Sequence, residues 1–287
     1  MKKGIFLSLK LLFVVLLTSA ITSLSYADAV PSSMTNDNYK YAVSDAKNPE
    51  PHEIYNNLIA IKKDNNYIAK RVNKDGKFQV KVISIIDEAS YNDHYKNYEK
   101  DFKHYPLYPD LWVSIEPELI DKIKNNKQRF DGDDKENNMS IIEIYGFPPQ
   151  KKVEYVVVFW ADADKMFRPS PDQEIDDESA EINFPNDVTP EHRMFIDNTR
   201  SSQYFSGKNV VLKNGEFEKE IWKEAYPWTQ LGYSYDWGNN CRNIYNYGLS
   251  EFIVKGNRNR KGNHDIEIVE VVTLKDYINR AKKNSKI

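Results

Sequence analysis

The sequence predicts an α+β fold: a mixed, mainly antiparallel sheet with flanking short helices. Three observations carry that expectation. Lys77 to Ile86 alternates apolar and polar side chains well enough for a strand. Val153 to Trp160 is nearly unbroken apolar, as in a central strand buried on both faces. Strand-type and helix-type segments then mix without the regular βαβ rhythm of a parallel sheet.

Taken in order, the chain opens with a secretory-signal layout over residues 1–27. Lys2 and Lys3 form the positive region, Leu11 to Leu17 the apolar stretch, and Ser25-Tyr26-Ala27 a small-residue cleavage site. The apolar stretch is shorter than the roughly 20 residues that span a bilayer, so the expectation is a secreted or periplasmic chain with no stable membrane span after cleavage. Residues 28–52 carry little apolar pattern and read as a flexible lead-in. Residues 53–150 read as an N-terminal α+β subdomain, opening at Glu53 with Ile54, Leu58 and Ile61 at helical spacing. Asn73 to Gly76 signals a turn before the Lys77 strand. Pro117 suits the first turn of a helix whose apolar face holds Leu119, Ile120 and Ile123. Asp131 to Asn138 reads as a solvated loop, because a calcium loop needs glycine and glutamate where Glu136 and Ile142 stand. Ser140 to Tyr145 reads as a strand.

Residues 151–287 read as a C-terminal α+β functional module. After the Val153 strand, Thr189-Pro190-Glu191 starts a helix, with threonine as cap and proline in the first turn. Lys213 to Glu216 is a turn. Glu251 to Lys255 and Ile266 to Val272 read as a final pair of strands joined by the basic loop Gly256 to Gly262, and Thr273 to Asp276 opens a terminal helix.

Composition narrows the function. Removing the signal takes three lysines and no acid, shifting the formal charge from −3 to −6. That argues against a general nucleic-acid binder, which is normally basic. Cys241 is the only cysteine, so no internal disulfide forms and the fold must hold by its core. The five histidines (His52, His94, His104, His192, His264) show no metal-ligand spacing. For an exported chain the partner is an extracellular or host target, which these residues do not identify.

Two segments carry candidate chemistry. In the first, the Val153 strand runs into Asp162-Ala163-Asp164. Two carboxylates at the C-terminal end of a strand can hold a hard divalent cation. This resembles the Asp-x-Asp of nucleotide-sugar glycosyltransferases, which implies a metal-dependent glycosyltransferase with Asp162 and Asp164 as ligands. The same strand followed by Arg168, Pro171, Asp172, Glu174 and Ile175 is similar to the opening of cholera- and pertussis-type ADP-ribosyltransferases. Arg200-Ser201-Ser202 and Gly248-Leu249-Ser250-Glu251 follow in that family's order. The resemblance implies a toxin- or effector-like NAD-dependent enzyme. Arg168 would bind NAD, Ser201 would shape the pocket, and Glu251 would be the catalytic carboxylate, stabilising an oxocarbenium-like transition state. The sequence departs from the pattern in two places: Phe159-Trp160 occupy the strand position of the arginine, and Leu249 that of the second glutamate.

The second segment, Tyr226 to Gly238, holds five aromatics in thirteen residues. Such rings offer flat apolar faces with a polar edge. Trp228, Tyr233, Tyr235 and Trp237, with Asp236 as polar anchor, are therefore candidates to bind a carbohydrate or peptide in a non-catalytic module. The alternative is an aromatic mini-core. Together, residues 153–273 resemble an uncharacterised family of secreted bacterial proteins and toxin-tip cassettes, on the motifs Phe-Arg-x-x-Pro-Asp-x-Glu-Ile, Tyr-Pro-Trp-Thr-x-Leu-Gly-Tyr-x-Tyr-Asp-Trp-Gly and Gly-x-Ser-Glu-Phe-Ile-Val. That resemblance implies secretion and no specific activity.

Overall fold

The computed structural model describes residues 36–96, 104–213, 216–238, 246–257 and 265–283, with backbone alone at 104, 208–213, 216–222 and 265. The expected signal segment 1–27, Cys241, His264, most of the basic loop and the tip of the Lys213–Glu216 turn lie outside them.

The central β-strands assemble as expected. In chain order they are β1 Lys70–Val72, β2 Phe78–Ile86, β3 His104–Pro106, β4 Leu111–Ile115, β5 Tyr155–Asp162, β6 Met166–Phe167, β7 Gly207–Lys213, β8 Glu216–Lys223, β9 Tyr233–Tyr235, β10 Tyr247–Ser250, β11 Phe252–Val254 and β12 Asp265–Thr273. The longer helices are α1 Asp37–Asp45, α2 Glu116–Asn125, α3 Asp134–Ile144, α4 Pro190–Gln203 and α5 Leu274–Lys283, and a short helical stretch runs over Glu88–Ser90 and Tyr91–Tyr95. The main sheet has eight strands in the order β3-β12-β5-β2-β4-β11-β6, with β1 on β2. Its pairings are antiparallel, and the sheet curls. The fold is therefore mixed α+β, with β5 central between β12 and β2.

Strand alternation sorts the core onto two faces. Val156 and Val158 of β5, with Ile83 and Ile85 of β2, pack under the helices against Leu119, Ile123, Ile141, Ile144, Leu274 and Ile278. Val157, Phe159 and Ala161, with Val80 and Val82, line the other face alongside Val113, Met166, Phe252 and Val254. This two-sided burial is why β5 reads as an apolar run. Strands from both sides of residue 150 interleave in the one sheet.

Four local expectations are corrected. The lead-in contains α1: Asn36 caps it by accepting from the Tyr39 N–H at 2.9 Å, and Tyr39 and Ala42 are buried. The Glu53 helix is absent. A 3₁₀ turn spans Pro51–Glu53, and Leu58 and Ile61 then donate backbone N–H groups to Glu178 and Ile175 at 2.9 and 2.6 Å. Ser140 to Tyr145 is not a strand but falls largely in α3. Asp133 and Glu136, within the expected loop, form a reciprocal capping box that starts this helix. Finally, β11 and β12 are not partners: β11 pairs with β4 and β6, and β12 with β3 and β5. The helices expected at Pro117, Thr189 and Thr273 form, the second capped by Thr189 accepting from the His192 N–H at 3.1 Å.

Candidate functional site

The register of β6 and β11 decides how the residues proposed for ADP-ribosyl transfer are arranged. Met166 and Phe167 pair with Val254 and Ile253, which carries Arg168 opposite Phe252. The Arg168 guanidinium lies over the Phe252 ring, 5.0 Å from its centroid, and the residue is wholly buried. Its Nε donates to the Glu174 carbonyl at 2.9 Å, and one terminal nitrogen donates to the Asp177 carbonyl and carboxylate at 3.0 and 3.4 Å. Burial lowers its pKa, while Asp177 and Asp172 oppose that effect. Glu251 lies between β10 and β11, its backbone N–H donating to the Gly232 carbonyl at 2.9 Å. Burial pushes its carboxyl up to about 8. Its Oε2 is shut off from solvent without a partner among the described residues. Ser201 sits on α4 rather than a strand, exposed, its hydroxyl donating to the Asp197 carbonyl at 3.0 Å. Ser201 is thus exposed on a helix, whereas Arg168 is wholly buried.

The aromatic segment is largely interior. Trp228 is edge-on to Trp112 at 6.4 Å and donates its Nε1–H to the Pro169 carbonyl. Trp237 is edge-on to Tyr39 at 5.6 Å and donates to the Phe147 carbonyl. Tyr235 donates to Asp45 at 2.8 Å. Asp236 receives both arms of the Arg129 guanidinium at 2.6 and 2.8 Å. These rings and their polar edges are engaged in packing, as in the mini-core alternative. Tyr233 is different in its neighbours. It donates to the Glu53 carbonyl at 2.9 Å, but its ring meets Tyr55 at 6.4 Å and Tyr247 at 5.5 Å, both half-buried. Tyr55 stacks on Tyr247 at 4.1 Å.

The segment that contributes Ala180 and Ile182 to this cluster also carries an acidic group. Carboxylate oxygens of Asp172, Asp177 and Glu181 all fall within 4.8 Å of one another. A hydrogen bond with Asp172, helped by burial, raises Glu181 to about 7, so its carboxyl holds a proton up to near neutrality. Burial raises Asp177, against the pull of Arg168. A divalent cation here would have to displace that proton and compete with Arg168 for Asp177. Ala180 and Ile182, on either side of Glu181, pack in one cluster with Leu58, Leu231, Tyr233, Tyr55 and Tyr247. Gly232 closes the back of the cluster. Its φ is +71°, and a Cβ there would stand 2.5 Å from the Arg168 Cδ. Below, the Tyr247 hydroxyl donates to Glu118, which also accepts from the Ser250 N–H at 3.0 Å. Burial raises Glu118 to about 7.

The site therefore unites two sequence candidates, Arg168 and Tyr233, with Asp172, Asp177, Glu181, Tyr55 and Tyr247. The density of acids between Asp172 and Glu181 was a usable signal for the carboxylates. Tyr247 adjoins the Gly-Leu-Ser-Glu motif, but Tyr55 carries no local pattern. Flat tyrosine faces beside hydrogen-bond-accepting carboxylates suit a polyhydroxylated ligand.

The Asp-x-Asp pair lies elsewhere. Asp162 accepts from the Gln79 amide at 2.8 Å and pairs with Lys165 at 3.6 Å, and Asp164 pairs with Lys77. Both carboxylates already have cationic partners. Among the described residues, no helix is long and apolar enough to cross a membrane. No family model matches the chain, no curated protein matches it, and no solved structure matches it.

Proposed function

We propose that the protein is an exported, non-catalytic binding module whose ligand is a carbohydrate, held at the face formed by Tyr55, Tyr247, Asp172, Asp177 and Glu181. Export rests on the signal-like residues 1–27. The observation that supports the binding reading is that Ala180 and Ile182, which flank Glu181, share a cluster with Tyr55, Tyr233 and Tyr247, of which Tyr55 and Tyr247 stack. Sugar C–H faces pack on aromatic rings, and sugar hydroxyls donate to carboxylates. Arg168 is the positioning residue, tying the Asp177 loop to Phe252 and Gly232. The exposed, helix-borne Ser201, against a wholly buried Arg168, weighs against NAD-dependent transfer, and the lysine-paired Asp162 and Asp164 weigh against metal-dependent glycosyl transfer.

Calorimetric titration of the mature protein with neutral oligosaccharides tests the reading. Saturable binding that weakens about tenfold or more in Tyr55→Ala, whose ring is half-buried at the face, supports it. Binding unaffected by that substitution, or hydrolysis of NAD with Glu251-dependent turnover, overturns it.

A further inference from the structure

Glu118 ties the tyrosine face to the body of the protein from below. The residue lies in the first turn of α2 and is only 8 % exposed. Its Oε1 accepts from the Tyr247 hydroxyl and, at 3.2 Å, from the Ser250 hydroxyl, and its Oε2 accepts from the Ser250 N–H at 3.0 Å. Ser250 Oγ in turn accepts from the Ile59 N–H at 2.9 Å and lies 2.9 Å from the Tyr247 hydroxyl. Ile59 follows Leu58, which packs in one cluster with Tyr55 and Tyr247. One carboxylate thus holds Tyr247 directly and the Tyr55 segment through Ser250.

The direction of these bonds is set by groups that only donate. The Ile59 N–H makes Ser250 Oγ an acceptor and leaves its proton for Glu118 or Tyr247, and the Ser250 N–H donates to Glu118. An ionised carboxylate, which only accepts, completes this set. A protonated one brings a further donor, so the Tyr247 or Ser250 hydroxyl must accept from it or turn away. The charge-assisted bonds, about twice as strong as neutral ones, are then lost.

Burial raises Glu118 to about 7, against the hydrogen bonds from Tyr247 and Ser250 and the charge of Lys122. On the same helix, Lys122 donates to the Tyr247 carbonyl at 2.8 Å and lies over the Tyr247 ring. Burial lowers Lys122, and Asp236 opposes that effect. From the other elements Tyr247, Tyr145 and Tyr67 stand near the carboxyl, and burial raises all three phenols, which stay neutral at physiological pH. Asp121 accepts from Tyr67 at 3.0 Å, and Glu251, pushed up to about 8, stands near Tyr145. Of the groups that titrate near neutrality here, Glu118 is the one bonded to the Tyr247 hydroxyl. We propose that Glu118 is a second positioning residue of the tyrosine face, controlled by its proton: ionised, it holds Tyr247 and the Tyr55 segment together, and protonated, it loosens them. The proposal rests on the carbohydrate reading only for what this controls, the affinity at that face.

The test follows Tyr247 itself. Protein carrying carbon-13 at tyrosine Cζ and glutamate Cδ is titrated by NMR, without ligand, from about pH 5.5 to 8.5, on either side of the Glu118 midpoint. The expected result is one step at the Tyr247 Cζ, with a midpoint that coincides with that of the Glu118 carboxyl. Glu118→Gln, which keeps the shape and cannot ionise, should abolish the step. Glu181→Gln, which removes the other carboxyl raised to about 7 at this face, should retain it. Cellohexaose, maltohexaose and chitohexaose are then titrated by calorimetry at both ends of the range. The affinity of one that binds should fall about three- to tenfold further on acidification in wild type than in Glu118→Gln. No step at Tyr247, a midpoint that departs from that of the Glu118 carboxyl, a step that persists in a folded Glu118→Gln protein, or equal losses of affinity in the two proteins would each overturn the proposal. Should the variant fail to fold, the two midpoints of the wild-type protein decide. Failure of the carbohydrate reading is distinct: none of the sugars binds at either pH, while the Tyr247 step remains.

Discussion

Arg129 grips Asp236 with both arms of its guanidinium, at 2.6 and 2.8 Å, beneath the segment richest in aromatics. One arm also reaches Glu143 at 2.9 Å, and Lys122 lies 4.0 Å from Asp236. Asp236 is fully buried, so it anchors the fold and has no surface to offer a ligand. Removing one partner of a buried ion pair strands the other charge. Asp236→Ala should lower stability by about 3–5 kcal/mol, measured by urea denaturation. Arg129→Met combined with Asp236→Leu should recover part of that loss, because it removes both members of the central pair, while Glu143 still loses its Arg129 partner.

Trp237 gives the second prediction. Its ring is buried under α1, edge-on to Tyr39, and its Nε1–H is satisfied by Phe147. Trp237→Ala should cost about 3–5 kcal/mol through the cavity and the orphaned carbonyl. A folded, equally stable Trp237→Ala protein would show that the aromatic segment is not core.

What the sequence disclosed follows the range of the interactions involved. Both faces of β5 are apolar because Val156 and Val157 enter different clusters, and that is visible in eight residues. The caps at Thr189 and Pro117 are equally local. In contrast, Ile141, Ile142 and Ile144 suit a strand by composition, and the outcome was settled upstream by the Asp133–Glu136 capping box. Tyr39 and Ala42 are too few to mark an apolar helix face, yet they bury against Trp237, almost two hundred residues away. The candidate site was half legible. Arg168 and Tyr233 were named from local motifs, whereas Tyr55 joins them through contacts that no spacing encodes.

Glu251 makes stability depend on pH. Its carboxyl titrates near 4.5 when unfolded and near 8 when folded. Below about pH 4.5 both states hold the proton. Between 4.5 and 8 only the folded state does, so the stability this protonated group contributes is lost as pH rises through 8. Glu251→Gln cannot ionise. Its denaturation midpoint should match or fall slightly below wild type at pH 4.5, and exceed it at pH 8.5. Glu118, raised to about 7 by burial, should leave the variant a smaller decline of the same sign. Equal pH slopes in the two proteins would contradict the burial assigned to Glu251.

Gly232 supports the tyrosine face from behind. Alanine there would meet both an unfavourable positive φ and the Arg168 side chain at 2.5 Å. Gly232→Ala should lower stability by roughly 1–3 kcal/mol. It should also weaken any ligand at the face, since Arg168 must shift from Asp177. Thermal melting combined with ligand titration checks both effects.

The most direct measurement is a residue-resolved NMR titration of the protein with a series of neutral oligosaccharides. The account predicts that shifts concentrate at Tyr55, Tyr247 and residues 172–182, and that Tyr55→Ala abolishes them while the rest of the spectrum stays native. Shifts centred elsewhere, or a full response in Tyr55→Ala, would contradict it.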